Sequence, residues 1–195
     1  GYAARYGISL IPEIESLGHS AAKGRCYRGL VAGGIKTRYE GIGVHVRKRH
    51  LLPNDPRTLA LLKSMYAEWL AAVRPPLIHL GLDEVRLPGD VQAAHLAAVL
   101  PQLFACAREA GVDSDAVVWS DAPPTPRAYR SRVVRCLWGY ADGKGVGPQN
   151  PHLVNQGILK LAKPHCRERV LMAGGSSSGH TPTGKSAYRD AYRNL

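Results

Sequence analysis

Short apolar runs rich in Ile, Val and Leu alternate along this chain with longer stretches in which apolar residues return every three to four positions. That alternation is the βα pattern. A short helix-like segment at 2–6 stops at Gly7, and 8–14 reads as a buried strand interrupted by Pro12. A long Gly-rich connection occupies 18–54. Asp55 then caps a helix with Pro56 in its first turn, and Leu59, Leu62, Tyr66, Trp69, Leu70 and Val73 recur at the spacing of one helical face. Pro75-Pro76 ends it, and 77–80 is the next strand. A second long helix presents Leu96, Val99, Leu100, Leu103 and Ala107, with Gly111 as its stop signal. Strands follow at 117–119 and 133–138, separated by a Pro-rich turn at 123–126, and a Gly-rich loop spans 139–147. A helix at 152–163, a fifth strand at 170–173 and a helical stretch at 186–194 complete the series.

Strands that are apolar throughout, without clean alternation, imply a parallel sheet covered on both faces. The architecture is then an open doubly wound sheet or part of an eight-stranded barrel; no repeat and no linker divides the chain. A length of 195 residues with 45% hydrophobic composition suffices for a real core and excludes disorder. No window approaches the roughly 18 consecutive apolar residues that a membrane span requires. The net charge of +11 raises the question of a nucleic-acid partner, and the densest basic cluster is Arg47, Lys48, Arg49 and His50. Other basic residues are scattered and no aromatic residue interleaves with the cluster, so a solvated loop is expected and nucleic acid is not. Cys26, Cys106, Cys136 and Cys166 lie far apart without zinc-ligand spacing, and no histidine pair suggests a metal. The first residue is Gly1 rather than Met, so a start of translation upstream is expected.

In either parallel architecture the working groups sit beyond the carboxyl ends of the strands. The first strand runs into Glu13, Glu15 and His19, the second into Asp83 and Glu84, the third into Trp119 and Asp121, the fourth into Trp138 and Tyr140. Carboxyl groups beside aromatic rings suit a sugar, whose C–H faces stack on rings and whose hydroxyls bond to acids. Adjacent residues on a strand face opposite ways, so Asp83 and Glu84 can serve one pocket only if the backbone leaves the strand there.

The stretches Ile11-Pro12-Glu13-Ile14-Glu15-Ser16-Leu17-Gly18-His19 and His79-Leu80-Gly81-Leu82-Asp83-Glu84-Val85 resemble the two signature segments of glycoside hydrolase family 20, the β-N-acetylhexosaminidases. The resemblance implies a (β/α)8 TIM barrel, incomplete here and holding about strands 3 to 7, with residues 1–195 as a partial catalytic domain. It implies substrate-assisted, retaining removal of terminal β-linked N-acetylglucosamine or N-acetylgalactosamine. Glu84 would then be the general acid/base and Asp83 the group that holds the 2-acetamido substituent. His19 and Glu15 resemble the family's supporting histidine and its acidic partner, while Trp119 and Trp138 resemble pocket walls, with Asp121 and Tyr140 near matching positions. No metal or organic cofactor is implied. The partner would be an N-acetylhexosamine-containing oligosaccharide or glycoconjugate, and the missing barrel strands would come from the rest of a parent chain.

Glu15 stands where the family usually has Asp, Leu17 where it has Pro, and Leu82 where it has a second Gly before Asp-Glu, which bears on how the backbone turns at Asp83. Two rival readings follow from the sequence. The string from Gly179 to Ser186 fits the phosphate-loop pattern G-x-x-x-x-G-K-[ST], although five residues separate it from the preceding strand and no later strand follows. The other is a catalytically inactive sugar-binding relative or a gene fragment.

Overall fold

The structure, a computed structural model, describes residues 2–20, 50–85, 87–137 and 169–172. The chain forms two units, Gly1–Val134 and Arg135–Leu195. In the first, helix α1 (Pro56–Val73) starts where the sequence predicts: the Asp55 side chain accepts the Arg57 N–H at 2.8 Å, and Pro56 occupies the first turn. The Arg57 guanidinium also donates to both carboxyl oxygens of Asp55, and these hydrogen bonds hold that carboxyl down at about 2. Leu62, Tyr66 and Leu70 of the anticipated face are buried together with Thr58. Trp69 is not part of that face, being 43% exposed. It neighbours Leu70 in sequence, about 100° away around the helix, so its side chain projects past the buried stripe. The helix stops because Arg74 takes a left-handed conformation (φ 50°) ahead of the two prolines, its N–H closing on the Leu70 carbonyl.

Strand β1 (Leu77–His79) pairs in parallel with β2 (Asp115–Trp119), in the register Leu77↔Asp115, Ile78↔Ala116, His79↔Val117. Helix α2 (Gly89–Glu109) makes the crossover between them, as a parallel pair requires. All five residues expected on its inner face are buried. Gly111 ends the turn at φ +62°, and the Arg74 guanidinium donates to the Ala110 and Gly111 carbonyls, pinning the end of α2 to that of α1. Leu62, Tyr66 and Leu70 from α1, Leu96, Leu100 and Leu103 from α2, and Ile78, Leu80, Ala116 and Val118 from the sheet region form one core cluster. Strand β3 (Val133–Leu137) straddles the boundary between the units, and β4 (Arg169–Met172) belongs to the second.

The strand expected over 8–14 is corrected. Only Glu13 bridges, in parallel to His79. The Pro12 carbonyl accepts the His79 N–H and the Ile14 N–H donates to the His79 carbonyl, both at 2.8 Å. Pro12 has no N–H of its own to extend the ladder backward, and Ile8, Leu10 and Ile11 are exposed. The helices expected at 152–163 and 186–194, the loop at 139–147 and the phosphate-loop string lie outside the described residues. Among the described residues no helix is long and apolar enough to cross a membrane.

Candidate functional site

The ladder between β1 and β2 continues past the last residue of β1: the Leu80 N–H donates to the Val117 carbonyl and the Trp119 N–H to the Gly81 carbonyl. The backbone then turns out of the sheet. Gly81, Leu82 and Glu84 adopt φ of +69°, +74° and +48°. This departure is what two adjacent acids need in order to reach one place. Asp83 Oδ2 lies 3.3 Å, and Glu84 Oε2 3.7 Å, from the same atom, His19 Nε2. Leu82 holds a glycine-favoured conformation with a full side chain, a strain of about 1–2 kcal/mol, offset by complete burial of that side chain in the core. The turn therefore persists without the second glycine, because packing supplies what backbone freedom would otherwise provide.

Several hydrogen bonds hold the surrounding loops. Asp121 Oδ2 accepts the Glu84 N–H at 2.7 Å. Ser16 directs both its N–H and its hydroxyl at the Leu80 carbonyl, stitching the 14–20 segment to the end of β1. His95, fully buried on α2, lies 3.0 Å from the Ser16 carbonyl through Nε2, while its Nδ1 accepts the Asn54 N–H. The Asn54 N–H can only donate, so Nδ1 is the bare nitrogen and Nε2 carries the proton given to Ser16. Burial pushes the His95 pKa down, against the opposing effect of the Ser16 bond. A Cβ on Gly18 would meet the Asp83 carbonyl at 3.1 Å, so the two loops approach backbone to backbone.

Burial is the largest influence on Asp83, raising its pKa; His19 opposes that shift, and Asp121 and Glu84 add to it. Its Oδ1 is buried and has no hydrogen-bond partner among the described residues. His79, on β1, accepts the Gly81 N–H at Nδ1 (3.0 Å) and lies 3.3 Å from Glu13 Oε1 through the same atom. The Glu13 contact is not an ion pair. Burial lowers the His79 pKa to about 4, so the ring is neutral near pH 7 and the nitrogen facing Glu13 already accepts a backbone proton.

That burial has a pH consequence with a definite sign. Between pH 6.5 and about 4 the unfolded chain binds the extra His79 proton and the folded chain does not. Stability is therefore fully present above pH 6.5 and lost as pH falls toward 4, by on the order of 3 kcal/mol for this group. Asp83 acts in the opposite sense, because its raised pKa lets the folded state hold a proton above the ordinary carboxyl value of 3.8. Urea midpoints at pH 7.5, 5.5 and 4.5 should fall in that order, and His79→Asn, which keeps an acceptor for Gly81, should flatten the decline. Equal slopes in both chains would contradict the assignment.

Of the residues singled out from the sequence, the structure brings His19, Asp83, Glu84 and Asp121 together. The Glu15 carboxyl group packs against the backbone of Gly81. Trp119 donates its indole N–H to Glu13 Oε1 at 2.9 Å. Trp138 and Tyr140 lie outside the described residues. His79 and His95 are supporting groups to which the sequence assigned no role, and Glu13, singled out at the end of the first strand, had no partner assigned. Their partners lie far away in the chain, so no local spacing reveals them. Among the described residues no group of three or more His, Cys, Asp or Glu side chains could hold a metal ion.

A parallel βαβ unit with paired acids just beyond a strand's carboxyl end places the site where α/β barrels keep theirs. The sequence matches the family model "Glycosyl hydrolase family 20, catalytic domain" over residues 1–121, and the chain belongs to that family, whose catalytic domains are TIM barrels. A search of curated proteins returned no match. Among solved structures the chain is similar to a mutant β-hexosaminidase of Streptomyces plicatus in complex with the product GlcNAc (TM-score 0.58, 16% identity, 94% of this chain and 35% of that one). It is also similar to a glycoside hydrolase family 20 β-N-acetylglucosaminidase (0.60, 16%, 98% and 42%). A third similar structure is the exo-β-N-acetylglucosaminidase of Vibrio harveyi in complex with N-acetylglucosamine (0.59, 17%, 90% and 27%). The chain thus spans well under half the length of each.

Proposed function

We propose that residues 1–195 are part of the (β/α)8 catalytic domain of an exo-β-N-acetylhexosaminidase, contributing about strands 3 to 7, with the remaining strands supplied by the rest of a parent chain. The substrate is a terminal β-linked N-acetylglucosamine or N-acetylgalactosamine on an oligosaccharide or glycoconjugate. One observation carries this reading: Asp83 and Glu84 share His19, and Asp83 keeps a buried oxygen with no donor among the described residues. A buried acceptor without a donor is costly, and an amide N–H of the substrate removes that cost. With that N–H held by Asp83, the acetamido oxygen faces the anomeric carbon and attacks it as Glu84 protonates the leaving oxygen. An oxazoline-type intermediate forms, and Asp83 balances its developing positive charge. Glu84 then takes a proton from the water that opens it. His19 bridges the two carboxyl groups, Glu15 supports the turn at Gly81, Asp121 fixes the Glu84 backbone and Trp119 lines the sugar, while Trp138 and Tyr140 are proposed as substrate-binding residues on the family resemblance alone.

The test compares p-nitrophenyl N-acetyl-β-glucosaminide with the plain β-glucoside, using the longest natural chain that contains this sequence. Hydrolysis of the acetamido substrate alone is expected, since only it carries the internal nucleophile. A folded chain that cleaves neither but binds N-acetylglucosamine is a lectin-like relative, and the catalytic reading is then wrong.

A further inference from the structure

We infer that Glu13 is a positioning residue that sets the orientation of the Trp119 indole and through it the preference for an acetamido sugar; the inference rests on the hexosaminidase reading. Trp119 ends β2, and its backbone is bonded to Gly81, two residues before Asp83. An aromatic wall there selects by shape, so its contribution depends on where the ring plane lies. Two groups define that plane. Glu13 Oε1 accepts the indole N–H at 2.9 Å across 106 residues of sequence, and the His79 ring lies against the indole with centroids 4.5 Å apart and planes inclined at 51°. Glu13 lies on the parallel bridge to His79, next to the Ser16 bonds that tie the same segment to Leu80. Backbone pairing fixes where the Glu13 side chain starts, and the indole bond fixes where its carboxyl ends.

His79 Nδ1 and Glu13 Oε1, only 3.3 Å apart, are both acceptors, and each has its own donor: the Gly81 N–H for the imidazole and the Trp119 indole for the carboxyl. Removing the Glu13 carboxyl takes this acceptor from the indole N–H and loosens the ring. The role needs an acceptor at this position and no net charge. Gln should therefore serve where Ala does not.

The experiment uses the full chain and its Glu13→Ala and Glu13→Gln variants, with two readouts. The first is the indole N–H signal of Trp119 in the nitrogen-15 spectrum, assigned with Trp119→Phe. The second is kcat and KM on p-nitrophenyl N-acetyl-β-glucosaminide. Glu13→Ala should shift that signal and speed its exchange with solvent. It should also raise KM about tenfold while kcat changes by less than about threefold, and Glu13→Gln should restore both. An unmoved indole signal overturns the inference, as does a moved signal with unchanged KM, or a fall in kcat alone. If Glu13→Ala does not fold, Glu13→Asp, which withdraws the acceptor by one methylene, carries the same comparison. Failure of the hexosaminidase reading is seen separately, as an unmodified chain that neither hydrolyses nor binds the acetamido sugar; the specificity role then falls with it.

Discussion

Glu84→Gln is expected to lower kcat for an N-acetyl-β-glucosaminide by about 10²–10⁴-fold with little change in KM, the range that a positioned general acid/base contributes. Gln occupies the same volume and leaves the Glu84 backbone bond to Asp121 untouched, so the turn and the sugar contacts persist. What disappears is a proton that can be given to the leaving oxygen and taken back from water. p-Nitrophenolate departs with little help, so its release hides part of the defect. An alkyl aglycone, which needs full protonation, should show a larger loss than the aryl one. Steady-state kinetics on both substrates, with circular dichroism to verify the fold, checks this. Equal and modest losses on the two would remove Glu84 from the acid role.

Gly81→Ala should be the most damaging single methyl in the site. A Cβ at this position would overlap the Glu15 carboxyl group, and the residue holds φ +69°. Both effects act at the turn that delivers Asp83 and Glu84. A destabilisation of about 2–4 kcal/mol is expected, together with loss of activity as Glu15 or the turn moves aside. Gly111→Ala is the internal control. It has a similar φ of +62° but nothing within 4 Å of the new methyl, so it should cost only about 1 kcal/mol from the left-handed conformation. The difference between the two variants in urea unfolding measures the contact with Glu15. Identical costs would mean that the carboxyl group yields freely.

The family assignment and the paired acids were legible from residues close together in sequence. Ile11 to His19 and His79 to Val85 each carry their pattern within nine residues or fewer, and the match over 1–121 agrees with them. Both described α-helices were also legible, because their signals are local: the Asp55 cap, the Pro56 start, the spacing of Leu62, Tyr66 and Leu70, and the stop at Gly111. Where a local signal competed with a neighbour, it misled. Apolar residues at 8–14 suggested a strand that Pro12 confines to one bridge, and Trp69 suggested a core position that the helix turns to solvent.

The sequence by itself determined the two described α-helices, the parallel βαβ order of β1, α2 and β2, and the acids at the end of β1. These follow from caps, periodicity and turn residues that act over a few positions and need no distant partner. Only the tertiary structure decided that Leu82 and Glu84 take left-handed backbone, that both acids reach His19, that His95 ties Ser16 to Asn54, and that Glu13 holds Trp119. Leu and Glu rarely adopt such a conformation unaided; burial of Leu82 in the core and the Asp121 bond to the Glu84 N–H hold it in place. A hydrogen bond across 106 residues leaves no period or spacing in the chain, because its geometry exists only once β1 and β2 lie side by side.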